Sequence, residues 1–343
     1  MAASHGEKPH EAITAREKAG ELPDHLYQMV RGYMPSRCIL TALELDIFTA
    51  IGEGATAAQL ASKIDTNTRA TEILLNALVA IGLLAKHGEQ YRNTNESERF
   101  FTQGSKDNHR SGLLHVANIW HHWSTLTEVV RTGRRIPVAG DGTAQWTHDF
   151  IAAMQHNARD RAPFVVKALG TEGVHRILDL GGGSGFYSIA FAKASSETKC
   201  EILDLPEIVP LTCEYVAKAG LSSQIVVRAG DMLHDDLGSG YDLIMLNAIC
   251  HMFSEKQNMD LFRRACLALA PQGRMAVQDF ILDPGKTGPK HAALFSVNML
   301  VGTDAGTSYS EPEYSSWMKE AGCSEIHRID MVGPSDLIIG QVA

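Results

Sequence analysis

The segment RILDLGGGSGFYSIAFAKA, from Arg176 to Ala194, constrains the fold more than any other stretch. An apolar run ends at Asp179 and Leu180, three consecutive glycines follow, and a helical pattern begins at once. Glycines at a strand-to-helix turn permit positive φ and leave the backbone open to close approach. In a parallel sheet such a turn lies at the carboxyl edge of the strands, where ligands bind. The spacing is D-x-G-x-G-x-G rather than the G-x-G-x-x-G of dinucleotide sites, and no basic residue waits for a pyrophosphate. A carboxylate beside the glycines suits a cationic ammonium or sulfonium group better than a phosphate.

Strand-like runs recur after this point. RILDL, CEILDL, SQIVVRAGD, YDLIMLN, GRMAVQDFIL and DLIIGQVA alternate with helical segments, which is the pattern of an α/β fold with a mostly parallel sheet. The second run ends at Asp204-Leu205, where a carboxylate can accept both hydroxyl hydrogens of a ribose. The third ends at Asp231-Met232, an acid for an adenine amino group and an apolar side chain for its face. With Asp179, Gly181, Gly182 and Gly183 at the first strand end, these residues describe a site for S-adenosylmethionine.

Composition sets the outer bounds. A chain of 343 residues suggests roughly two domains of about 100–200 residues each. No apolar run approaches the roughly 20 residues of a membrane helix, and the polar amino-terminal stretch lacks the apolar core of a signal peptide. A formal net charge of −9 gives little support to nucleic-acid binding. The six cysteines form no C-x-x-C pair and read as small buried hydrophobes in a reducing cytoplasm.

The amino-terminal part reads as helices followed by a hairpin. SRCILTALELDIFTAI places Ile39, Leu43, Ile47 and Ile51 at helical spacing. Thr56 caps a short helix. TRATEILLNALVAIGLLAKHG reads as an apolar helix ending near Gly88, with Ile73, Leu74, Leu78 and Ile81 on its face. LLAKHGEQYRNT reads as a hairpin turning at His87-Gly88. Three helices and a hairpin make a winged-helix pattern. HVANIWHHWSTLTEVVRTG and FIAAMQHNARDRAPFVVKAL read as helices that follow it.

These motifs, together with LNAICHMFSEKQ and FSVNMLVGTDAGTSYSEPEYSSWMKEAGC, resemble the dimeric small-molecule O-methyltransferases related to caffeate and acetylserotonin methyltransferases, in their bacterial branch. The resemblance runs from about residue 25 to the carboxyl end. It implies a Rossmann-like methyltransferase domain and a winged-helix-like dimerisation domain in a homodimer, with no nucleic-acid or membrane partner. The expected division is a flexible segment 1–20, a dimerisation domain 21–110, linking helices 111–170 that line the acceptor pocket, and a cofactor-binding domain 171–343.

The resemblance also implies that His251 removes the acceptor's hydroxyl proton, a role suited to an imidazole at neutral pH. Asp279 falls where plant members carry the first of two glutamates that hold this histidine. The second falls near Ser308, where no carboxylate stands. Asn247 falls where they have a lysine near the cofactor. The weakened set leaves two further readings open. A thioether sulfur needs no base and would give a sulfonium product, and a carbon acceptor is the other. A winged-helix regulator that senses S-adenosylmethionine without chemistry is a more distant alternative.

Acceptor-binding candidates are Trp120, His121, Met154, His156, Asn157, Arg159, Asn298 and Met299. On a helix, Trp120 and Trp123 share a face from which His121 and His122 turn away. A histidine-rich lining suits a small polar or acidic acceptor. The histidine spacing matches no metal-ligand set, and no metal is expected.

Overall fold

A computed structural model describes residues 22–159 and 161–343, with the side chains of residues 144, 145, 149, 156 and 157 outside the description. The expected flexible segment 1–20 lies outside the described residues. The chain forms two compact units, residues 1–117 and 118–343.

The first unit contains α1 (Asp24–Arg31), α2 (Tyr33–Glu44), α3 (Ile47–Ile51), β1 (Ala55–Thr56), α4 (Ala57–Lys63), α5 (Thr68–Ala80), β2 (Leu84–His87), β3 (Gln90–Asn93) and α6 (Asn95–Phe101). The chain passes to the second unit within α7 (Arg110–Ser124). Its antiparallel strands run in the order β1-β3-β2, the wing of a winged helix. Leu43, Ile47, Phe48, Leu60, Leu75, Leu78 and Tyr91 form its core.

Local chemistry refines the sequence reading at three points. The helix expected through Ile39 and Ile51 breaks at Asp46, whose φ of 53° is left-handed, giving α2 and α3. The apolar helix ends at Ala80 rather than near Gly88. There Leu83 N–H bonds Leu78 O and Gly82 N–H bonds Val79 O, a Schellman stop around a glycine at φ 84°. Its buried face carries Thr71, Leu75 and Leu78, while Ile73 and Ile81 are exposed. His87 pairs with Gln90, so the hairpin turns at Gly88-Glu89 instead of His87-Gly88. The Thr56 cap forms as expected, closed reciprocally by Gln59.

The second unit continues with α8 (Leu126–Thr132), α9 (Ala144–Arg159), α10 (Ala162–Leu169), β4 (Arg176–Leu180), α11 (Phe186–Ala194), β5 (Lys199–Asp204), α12 (Val209–Lys218), β6 (Ile225–Ala229) and β7 (Tyr241–Asn247). A 3₁₀ turn (Cys250–Met252) leads into α13 (Glu255–Ala268), β8 (Leu269–Asp279), α14 (Lys290–Gly302), α15 (Glu311–Ala321), β9 (Ser324–Ile329) and β10 (Asp336–Gln341). Among the described residues the strands form one sheet in the order β6-β5-β4-β7-β8-β10-β9. Strands β6, β5, β4, β7 and β8 are parallel, and β10 runs antiparallel to both its neighbours. The edge strand β9, SEIHRI, is mostly solvated, so its sequence lacks the apolar run that marked the other strands.

Alternation along the strands splits the core in two. Leu178, Leu180, Ile244 and Leu246 pack with Phe262 and Trp317 on one face. Ile177, Ile202, Leu243 and Met245 pack with Phe191 and Val165 on the other. Each large side chain so buried is worth roughly 1.5–3 kcal/mol. Because β5 and β7 flank β4 on opposite sides, the chain leaves neighbouring strands β4 and β7 in opposite directions. That switch point opens a crevice at their carboxyl ends. No helix among the described residues is long and apolar enough to cross a membrane.

Candidate active site

Asp179 and Asn247 stand at the carboxyl ends of β4 and β7, on either side of this crevice. Asp179 is fully buried, and its Oδ2 accepts the Ser188 hydroxyl at 2.7 Å. Burial pushes its carboxyl up to about 6; the Ser188 hydroxyl opposes this, the Asp204 charge adds to it, and the Asn247 amide favours the charged form. Asp179 Oδ1 and Asn247 Nδ2 are buried without a formed hydrogen bond. The Asn247 amide lies near enough to act on the carboxylate, and a polar ligand between the two strand ends would complete their pairing.

The glycines shape its floor. Gly181 has φ +67°, and a Cβ there would stand 2.8 Å from Met232 Cε. A Cβ on Gly182 would stand 2.9 Å from Asp179 Oδ2 and from Ile202 Cγ2. Gly183 N–H donates to Asp204 Oδ2 at 2.7 Å, and Leu205 N–H donates to Asp204 Oδ1 at 2.8 Å. Burial raises the Asp204 carboxyl and these two amides lower it, with a net rise. Each oxygen keeps a second lone pair for a hydroxyl donor.

Asp231 is fixed by Leu233 N–H at 2.8 Å and faces His234 Nδ1 at 2.7 Å. Burial pulls its carboxyl upward, but these partners outweigh it and hold it low. Met232 is buried beside Gly181. The carboxylates, the glycine cradle and the unpaired atoms fit a ligand that carries an ammonium, a ribose and an adenine.

The second cluster surrounds His251, on the 3₁₀ turn after β7. Its Nδ1 lies 2.6 Å from Asp279 Oδ1, and its backbone N–H donates to Asp279 Oδ2 at 3.1 Å. Asp279 ends β8 and also accepts Phe280 N–H at 2.8 Å and the Tyr314 hydroxyl at 2.9 Å. A carboxylate held by these donors takes the Nδ1 proton as an acceptor, leaving Nε2 with a free lone pair. The ring meets Phe295 edge-on, centroids 4.8 Å apart, and Phe280 at 6.0 Å. Those two phenyl rings stack on each other at 4.0 Å. Gly306 packs against the His251 carbonyl so closely that any Cβ there would overlap it.

The remaining candidates are spread more widely. Asn298 Oδ1 accepts from Trp123 Nε1 at 2.8 Å, tying α14 to α7, and Met299 is buried one residue on. Trp120 and Met154 are half-buried, and His121 and Arg159 are exposed. The side chains of His156 and Asn157 lie outside the described ones. His122 does not turn to solvent with His121: it is buried, with Nε2 3.0 Å from Asp141 Oδ1. Among the described residues no three His, Cys, Asp or Glu side chains are grouped as metal ligands.

Sequence reasoning missed Ser188, Tyr314, Phe280 and Phe295. Ser188 was within reach, since it follows the glycines on the first turns of α11. Tyr314 had no local signal, being 35 residues from Asp279. Near Ser308, where plant relatives place a carboxylate, the Ser308 Oγ is buried and unpaired.

A seven-stranded, mostly parallel sheet with carboxylates at three successive strand ends is the architecture of a Rossmann-like methyltransferase. Residues 123–324 match the O-methyltransferase domain family, and residues 27–103 match the O-methyltransferase dimerisation domain. The chain belongs to this O-methyltransferase family and is an S-adenosylmethionine-dependent small-molecule methyltransferase.

It is similar to 3-hydroxy-5-methyl-1-naphthoate 3-O-methyltransferase of Streptomyces sahachiroi, at 31% identity over 91% of this chain and 92% of that one. It is 28% identical to the tetracenomycin polyketide synthesis 8-O-methyl transferase of Streptomyces glaucescens, over 93% of this chain and 96% of the relative. The methyltransferase PigF of a Serratia species is 30% identical over 93% of this chain and 95% of its own. The solved structure of PigF with SAH superposes with a TM-score of 0.85 at 28% identity, covering 93% of this chain and 99% of that one.

Proposed function

We propose that the crevice between β4 and β7 binds S-adenosylmethionine and that His251 is the general base for methylation of an aromatic hydroxyl. In the binding reading, Asp179 and Asn247 meet the amino-acid end, with Gly181, Gly182 and Gly183 as the floor. Asp204 and Leu205 meet the ribose, and Asp231 and Met232 the adenine. The bound cofactor supplies a methyl group on a sulfonium, open to in-line attack. His251 Nε2 takes the hydroxyl proton as the acceptor oxygen attacks. Asp279 fixes the tautomer and balances the imidazolium charge.

The observation that carries this reading is the 2.6 Å contact between His251 Nδ1 and Asp279 Oδ1 in a buried setting. A thioether acceptor would need no such pair, which favours oxygen over sulfur. The stacked Phe280 and Phe295 beside His251 present an aromatic surface, so the small acidic acceptor expected from a histidine-rich lining is replaced here by a planar phenol. The naphthoate relative is named for a hydroxylated aromatic acid methylated on oxygen, which supports an aromatic hydroxyl and is compatible with a carboxylate on the same ring. In this reading α7 and α14, tied by the Trp123–Asn298 hydrogen bond, form part of the acceptor wall, and residues 111–170 line it. The reaction so written uses no metal. Residues 27–103 join two copies in this reading, and the free thiols fit a cytoplasmic enzyme.

The test is product identification. Methyl-labelled S-adenosylmethionine is incubated with the protein and a fractionated metabolite extract, and NMR locates the labelled carbon. An aryl methyl ether is expected. A sulfonium or a new carbon–carbon bond would overturn the assignment of the accepting atom.

A further inference from the structure

Asp279 is almost wholly buried, and its Oδ2 has two donors: the His251 backbone N–H and the Tyr314 hydroxyl. The phenol contact is 2.9 Å and the backbone contact 3.1 Å, so Tyr314 is the side-chain donor that anchors that oxygen beside the main chain of His251. Tyr314 is itself completely buried on α15. Phe262, Trp317 and Tyr309 surround its ring at centroid separations of 6.2, 5.4 and 5.9 Å. Packed this way the ring has little freedom, and its hydroxyl position is set by the core.

We propose that Tyr314 is a positioning residue for the methyl-transfer reaction: its hydroxyl, donated to Asp279 Oδ2, sets the orientation and proton affinity of the carboxylate that holds His251. The proposal rests on the reading of His251 as the base. Ser308 stands near the place of a second carboxylate in plant relatives, and its Oγ makes no hydrogen bond. A second acid on His251 would strengthen the hold on the imidazole proton, whereas the neutral Tyr314 donor acts on Asp279 in the opposite sense. It spreads the Asp279 charge and so lowers the pull of Asp279 on the imidazole proton.

Few other charges compete. Besides Asp279, the titratable groups acting on Tyr314 are Cys250, from the 3₁₀ turn, and Tyr309, from the loop before α15, while His251 meets Asp279 directly. Both are neutral near pH 7, because burial raises the Cys250 thiol and the Tyr309 phenol, the latter to about 12. Glu255 and Glu313 act on Tyr309 from the ends of α13 and α15. Phe280 and Phe295 face the ring of His251 from the other side.

The test titrates the His251 ring by NMR in histidine-labelled protein saturated with S-adenosylhomocysteine, assigning the signal by its loss in His251→Gln. Tyr314→Phe should raise the ring's titration point by about half a pH unit or more. It should also lower kcat several-fold with little change in acceptor KM, using as acceptor the phenol recovered from the labelling experiment. Tyr309→Phe removes a hydroxyl from the same cluster, one that bonds Phe253 O, and should lower thermal stability without moving the ring.

Difluorotyrosine at position 314 keeps the packing and makes a stronger donor, so it should shift the titration downward even if Tyr314→Phe does not fold. An unmoved titration in the folded Tyr314 variants would overturn the proposal. Failure of the base reading shows separately, as full methyl transfer by His251→Gln.

Discussion

One carboxylate grips a single residue twice: Asp279 accepts the His251 ring Nδ1 at 2.6 Å and the His251 backbone N–H at 3.1 Å. Ring and main chain are therefore fixed together, and Nε2 is aimed by the fold rather than by the acceptor. Asp279→Asn puts an amide where the ring needs an acceptor and allows the wrong tautomer. It should lower kcat by about 10²–10⁴. Calorimetry should find S-adenosylmethionine affinity within about twofold of wild type, since the binding reading gives Asp279 no part in holding the cofactor.

Gly306 supports the same residue from below. A Cβ there would overlap the His251 carbonyl and press on Met252 and Thr303 Oγ1. Main chain cannot yield as a flexible side chain can, so Gly306→Ala should cost about 1–3 kcal/mol in urea unfolding. Methyl transfer should fall by more than the loss of folded protein accounts for.

In the proposed binding mode, Asp179 should make cofactor affinity depend on pH. Its folded carboxyl, raised to about 6 by burial, holds a proton across the window above an ordinary aspartate value near 4. The folded chain then binds more protons than the unfolded one. This group's contribution to stability is present in full below about pH 4 and is lost as pH rises through about 6. A cationic ligand beside Asp179 favours the ionised form and reverses the balance. The melting-temperature gain given by S-adenosylmethionine should therefore grow from pH 5 to pH 7, with proton release seen in buffers of different ionisation enthalpy. Asp179→Asn should flatten that dependence and weaken binding at least about tenfold.

In the proposed reading, Phe295 meets the acceptor. Its edge-on packing with His251, at 4.8 Å, and its stack on Phe280, at 4.0 Å, make it the centre of the aromatic surface. Phe295→Ala should raise the KM for a phenolic acceptor by roughly tenfold, consistent with about 1.4 kcal/mol of lost stacking. Equilibrium binding of S-adenosylmethionine should stay unchanged.

In the first unit, α1 buries none of its residues, and Met29 and Val30 are 70% and 71% exposed. Leu26, exposed with them, puts the three at i, i+3 and i+4 on one face of α1, a stripe that the proposed dimer would cover. Met29→Asp with Val30→Asp should shift sedimentation from dimer toward monomer without unfolding the second unit.

Much of the second unit was legible because strand and loop signals were local. YDLIMLN is β7 to the residue, and Asp179, Asp204 and Asp231 stand at or just beyond three strand ends because each closes an apolar run. The first unit was less legible where the stop was a backbone matter. Apolar spacing continued through Asp46 and Gly82, but a left-handed φ ended the helices there. The setting of His122 was hidden for a different reason. His122 has an acid partner in Asp141, 19 residues ahead in the chain, and nothing near it in sequence says so. Tyr314 reaches Asp279 only because α15 packs against α13 and the neighbouring strands β9 and β10, a tertiary fact that no spacing rule encodes.

The measurement that tests the central claim most directly is the single-turnover rate of methyl transfer to a saturating phenol by wild type and His251→Gln. Glutamine keeps a polar side chain of similar reach but cannot take a proton near pH 7. With His251 as base, the variant loses about 10²–10⁴ in rate while binding S-adenosylmethionine normally. A variant rate within about threefold of wild type would contradict it and leave positioning alone as the source of the rate.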